Sequence, residues 1–117
     1  LSQEQNQRKE RRTEERIAHK AVVIMAYGQG EQLGFENAEL IDCSLHGIAI
    51  GLHRALAVGH HFLLKVKLER TVLVRYTVRD CQASGKRLFR IGGELAGFVG
   101  ASPEPQAQAV FDALLLA

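Results

Sequence analysis

Phe62-Leu63-Leu64-Lys65-Val66-Lys67-Leu68-Glu69 settles the class of fold. Phe62, Leu64, Val66 and Leu68 fall on every second residue, and Lys65, Lys67 and Glu69 fall between them. That period belongs to a strand with one dry face and one wet face. The next segment repeats it: Val72, Val74, Tyr76 and Val78 share a face, with Arg75 and Arg79 opposite. Working outward, Ile17–Tyr27 is rich in branched and aromatic residues and reads as a first strand. Gly28 to Gln32 has the composition of a turn. Leu33–Cys43 reads as a second strand, with a break expected near Glu36-Asn37. Leu45–Leu52 reads as a third, with Gly51 able to end it. His53 to His60 connects to the Phe62 strand, Asp80 to Lys86 is a loop, and Arg87–Val99 is the last strand, with a bulge expected at Gly92-Gly93. Short strands joined by turns point to an all-β barrel or sandwich.

The C-terminal end changes character. Ser102-Pro103-Glu104-Pro105 has the form of a helix start, with Ser102 as cap and the prolines in the first turn. Ala107, Val110, Phe111, Leu114 and Leu115 follow at helical spacing. The helix is expected over about 103–116, after a barrel over about 17–100.

The chain has 117 residues, enough for one domain with a modest core. No apolar run reaches the ~18 residues that cross a bilayer, so no direct membrane insertion is expected. The N-terminus lacks the apolar centre of a secretory signal. The first residue is Leu1 rather than Met, which suits a piece cut from a longer protein. Cys43 and Cys81 are the only cysteines, and they are expected to be reduced, buried thiols of a cytoplasmic protein. The net charge is +2, and residues 1–20 carry all of the excess, with six basic and four acidic side chains. Leu1 is the only apolar residue among the first 16. Residues 1–10 are therefore expected to form a flexible arm ahead of a domain over 11–117.

Two polar stretches carry the chemistry. Asp42-Cys43-Ser44-Leu45-His46-Gly47 places a carboxylate, a hydroxyl and a glycine in a tight hairpin between two apolar segments. Gly47 supplies a backbone geometry or a close approach that a Cβ would block. Upstream, Arg11-Arg12-Thr13-Glu14-Glu15-Arg16 is rich in guanidinium. Arginine forks match phosphate oxygens and the O6/N7 edge of guanine. Asp42 can accept from a guanine's pairing edge or hold an arginine in place. Ser44 can bond a phosphate oxygen or a base edge.

On these residues the chain resembles the PilZ domain family. Arg12 to Arg16 fits its R-x-x-x-R motif and Asp42 to Gly47 fits D-x-S-x-x-G, in the family's order with a strand between. Arg8 and Arg12 fit the first motif too, but Arg16 directly precedes the first strand, as the family's second arginine does. The resemblance covers residues 8–116 and implies a six-stranded antiparallel β-barrel with a C-terminal helix. It implies a bacterial second-messenger receptor that binds cyclic di-GMP through Arg12, Arg16, Asp42, Ser44 and Gly47. Arg11, just before the motif, implies binding of an intercalated pair of ligand molecules. Arg75, Arg79 or Gly93 could add contacts. The implied output is a repositioned arm read by a downstream protein or a neighbouring domain, with no catalysis and no catalytic cofactor.

Four other readings compete. A PilZ-like protein-interaction module that binds no nucleotide would be expected to have lost a motif residue. A nucleic-acid-binding barrel would interleave aromatics with its basic residues, whereas this chain has no Trp and a body with balanced charge. For a metal centre, His46, His53, His60, His61, Cys43 and Cys81 lack ligand spacing. A hydrolase triad of Asp42, Ser44 and His46 would be crowded into one turn. His46 is expected to face solvent or to edge the ligand site.

Overall fold

The computed structural model describes residues 14–28 and 34–117. The expected arm over 1–10, Arg11, Arg12 and the turn from Gln29 to Gln32 lie outside the described residues. Six strands follow in chain order: β1 (Ile17–Tyr27), β2 (Gly34–Cys43), β3 (Gly47–Leu52), β4 (His61–Lys67), β5 (Thr71–Ala83) and β6 (Phe89–Val99). One helix, α1 (Ala107–Leu115), comes last.

All strand pairs are antiparallel, and the barrel closes in the order β1-β2-β3-β6-β5-β4. The topology is two three-stranded meanders, β1-β2-β3 and β4-β5-β6, joined along two seams. The β3/β6 seam pairs along the whole of β3, from Gly47 opposite Glu94 to Leu52 opposite Phe89. The β1/β4 seam is short, running only from Ile24 opposite Lys65 to Ala26 opposite Leu63. Helix α1 packs against β4 beside that short seam and buries Val110 and Leu114. Its apolar stripe therefore lies on its own barrel and covers core that the short seam leaves open.

The alternating residues meet inside. Met25, Leu40, Ile48, Ile50, Leu64, Val74, Val78 and Ile91 are all fully buried. Phe62 stacks on Tyr76 with ring centres 5.5 Å apart. Burial of this kind contributes about 25 cal/mol for each Å² of apolar surface removed from water. β3 is buried on both faces, so its residues form an apolar run rather than an alternation.

Several boundaries differ from the sequence expectation. β2 pairs without a break through Glu36 and Asn37, and its irregularity falls between Leu40 and Asp42 instead. β3 starts at Gly47, and Gly51 lies inside it, paired with Glu39 and Arg90. β5 runs on through Asp80 to Ala83, where a loop was expected. The reason is a bulge: Val78 pairs with Gly93 and Asp80 with Gly92, so Arg79 is the extra residue and the alternation changes phase. The bulge is thus carried by β5, opposite the two glycines. Helix α1 begins at Ala107 with Gln106 at its N-cap. Ser102 does not cap it; its carbonyl accepts from the Arg70 guanidinium at 3.2 Å. The two prolines lie before the helix rather than in its first turn. Cys43 is buried as expected, but Cys81, on the polar extension of β5, is only partly so.

Candidate functional site

Glu14 and Arg16 of the first polar stretch meet the Asp42–Gly47 stretch at one end of the β3/β6 seam. The turn from Ser44 to His46 is tied at both sides. The Ser44 N–H donates to the Gly47 carbonyl at 3.0 Å, and the Leu95 N–H of β6 donates to the His46 carbonyl at 2.7 Å. Because the turn is tied to β6, its side chains are held by the barrel rather than by a wandering loop.

Asp42 sits just past the β2 irregularity, and its side chain is only 15% exposed. Its Oδ1 accepts from Arg16 at two nitrogens, Nε at 2.9 Å and Nη2 at 2.7 Å. Its Oδ2 accepts from Arg90 Nη2 at 2.8 Å. One recessed carboxylate thus holds two guanidinium groups side by side, with one positive charge left over. Of the two roles open to Asp42, the geometry realises the arginine clamp. The pair also acts on the neighbouring thiol. Burial pushes the Cys43 thiol up from its ordinary value and the Asp42 charge adds to this, with Arg16 opposing. Cys43 is therefore a protonated, packed thiol rather than a nucleophile.

Gly47 is required by closeness. A Cβ there would lie 3.0 Å from Ser44 Oγ and 3.2 Å from Arg16 Nη1, tighter than ordinary packing. The glycine lets Arg16 cross the turn beside the serine. Across the seam, a Cβ on Gly93 would meet the Phe62 ring at 2.9 Å. Gly47 thus makes room at the rim, and Gly93 makes room for the Phe62 ring beneath it.

That cavity has a volume of about 600 Å³. Arg16, Ser44 and Gly47 line it, as do Arg79, Arg90 and Gly93. Arg79 is paired with Glu94 across β5 and β6, Nε to Oε2 at 2.6 Å, and both side chains are more than half exposed. Such a surface pair contributes at most ~1 kcal/mol, so Arg79 can change partner at little cost.

Glu14 closes the site from the N-terminal side. Its Oε1 accepts from the Ser44 hydroxyl at 2.8 Å and from the His46 backbone N–H. Its Oε2 lies 3.2 Å from His46 Nδ1. Partial burial alone would raise the Glu14 pKa, but the bonds from Ser44 and His46 outweigh it and hold the carboxyl below its ordinary value of 4.5. The sign follows by linkage. A depressed carboxyl pKa contributes stability that is fully present above 4.5 and lost as pH falls through the lower folded value. Acidification well below pH 4.5 is therefore expected to release this contact. Hydrogen exchange of the His46 amide reads it directly. Loss of protection centred near neutral pH would contradict the assignment to Glu14.

Of the expected site residues, Arg16, Asp42, Ser44 and Gly47 are brought together. Asp42 stands behind the arginines rather than on the cavity wall. Arg11 and Arg12 lie outside the described residues. Arg79 and Gly93 line the cavity, whereas Arg75 does not. Arg90, Glu14 and His46 complete the arrangement. A signal for Arg90 was present: Arg90, Gly92 and Glu94 share the period-two phase of β6 that faces away from buried Ile91 and Gly93. His46 lines the same cavity.

A closed six-stranded barrel with one C-terminal helix and an arginine-lined cavity at its rim defines a small β-barrel module. The chain belongs to the PilZ domain family, whose model matches residues 10–110. Members are receptor or adaptor modules, and the family is generally linked to cyclic di-GMP binding. No curated protein matches the chain. No helix among the described residues is long and apolar enough to cross a membrane.

Proposed function

We propose that this chain is a bacterial cyclic di-GMP receptor, acting in the cytoplasm and passing the signal to a downstream protein or a neighbouring domain. One observation carries the reading. Residues from two motifs far apart in sequence, Arg16 on one side and Ser44 and Gly47 on the other, line one cavity. Its volume lies within the ~300–1,000 Å³ usual for small-molecule sites.

The roles follow from the chemistry. Asp42 fixes the Arg16 and Arg90 planes, so little freedom is lost when they meet a ligand. The guanidinium groups of the lining arginines suit phosphate oxygens and the O6/N7 edge of guanine. Arg12 lies four residues before Arg16 and would close over the ligand from the arm, with Arg11 beside it adding a second, intercalated ligand molecule. Ser44 provides a hydroxyl, which donates to Glu14 without ligand. Nothing in these roles requires bond making or breaking, so the output is a change of arm position and surface.

One observation favours the family's other mode, an adaptor that works by protein contact alone. Each charged group of the site already has a partner, Arg16 and Arg90 sharing Asp42, Arg79 on Glu94, and Glu14 on Ser44 and His46. Calorimetric titration separates the two modes. A receptor gives saturable heat on adding cyclic di-GMP, while the adaptor reading requires no heat up to high micromolar ligand.

A further inference from the structure

Ser44 is 4% exposed, the one buried polar residue among those described, and its hydroxyl donates to a residue outside its own turn. The acceptor is the Glu14 carboxylate. The same carboxylate takes the His46 N–H and lies against the His46 imidazole. A hydroxyl, a backbone N–H and an imidazole nitrogen thus converge on one anion. That donor set is not specific to a carboxylate. It meets the needs of a phosphate's two unbridged oxygens equally well.

We infer that Ser44 and His46 form an anion seat for a phosphodiester oxygen pair, and that Glu14 is a built-in competitor which the ligand must displace. The inference rests on the cyclic di-GMP reading of the same site. It extends that reading by assigning His46 as a ligand contact and Glu14 as the residue that sets the affinity.

The competition is chemical as well as steric. The Ser44 hydroxyl has one proton and the His46 amide has one, so neither can serve two anions at full strength. A phosphate placed beside the seated carboxylate would also set two negative charges next to each other, which disfavours both. Displacement is local: Glu14 is two residues before Arg16, which stays clamped on Asp42.

The test compares the full chain with Glu14→Gln and Glu14→Ala by calorimetric titration with cyclic di-GMP. The His46 amide proton is followed by NMR before and after ligand. Glu14→Gln keeps the size of the side chain and removes its charge. Glu14→Ala removes the competitor altogether. Both variants are expected to bind more tightly, roughly five- to tenfold, as fits losing one partly exposed charged contact that opposes binding. The His46 amide resonance should move in both variants before any ligand is added, and move again on binding. Binding by the unaltered chain with equal or weaker affinity in both variants would overturn the inference and leave the receptor reading standing. Absence of binding in all three proteins would overturn the receptor reading and the inference with it.

Discussion

Arg16→Ala is expected to weaken cyclic di-GMP binding by about 10- to 100-fold while leaving the barrel folded. The range corresponds to one charged hydrogen-bonding contact of about 1.5–3 kcal/mol, at 1.4 kcal/mol per tenfold. Two features separate this loss from general damage. Asp42 keeps Arg90 as a partner, so the substitution leaves no recessed carboxylate without a counterion. The Arg16 side chain is itself 48% exposed, and breaking an ion pair of that exposure costs ~0–1 kcal/mol of stability. Calorimetry and thermal unfolding should therefore diverge, with a large fall in affinity and a small fall in Tm. A loss of less than about twofold would remove Arg16 from the binding residues, since that is below the worth of a single neutral hydrogen bond.

The largest effect on stability is expected at Phe62. It is 1% exposed, stacks on Tyr76, and its ring edge closes against the Cα of Gly93. Phe62→Ala should cost about 3–5 kcal/mol through lost burial and the cavity left behind. For a domain of this size that is a fall in Tm on the order of 10–20 °C. The effect should reach the rim as well. Gly93 pairs with Ile48 in the seam that carries the Ser44 turn, so loosening the ring beneath it loosens the wall of the cavity. Chemical denaturation checks the first part. A cost below about 1 kcal/mol would mean that the core refills and that Phe62 does not brace the seam.

How much of this was legible depended on which force acted where. β1 is bounded as its run of branched residues indicated, and β4 carries the alternation that identified it, because each has one dry and one wet face. The Asp80–Ala83 extension was hidden because hydrophobic periodicity cannot register a bulge. After Arg79 the strand faces the cavity with Asp80 and Gln82, and polar residues there look like a loop. Ser102 looked like a helix cap from composition, but the path of the chain after β6 sends its carbonyl to Arg70. The site divided in the same way. Asp42, Ser44 and Gly47 lie in one turn, and the turn announces itself by carrying more polar groups than turning requires. Arg90 and Glu14 join from other elements through the β3/β6 seam and the entry to β1, and no local pattern pairs residues so far apart. Glu14 was in view within the first motif, yet its role as a partner of Ser44 and His46 follows only from the folded chain.

The most direct test of the receptor account is a backbone amide shift map of the full chain titrated with cyclic di-GMP. The account predicts saturable shifts concentrated at Arg16, Ser44, His46, Gly47, Arg90 and Gly93. Shifts absent at saturating nucleotide, or confined to the opposite surface around Val22, Ile24 and Leu116, would contradict it.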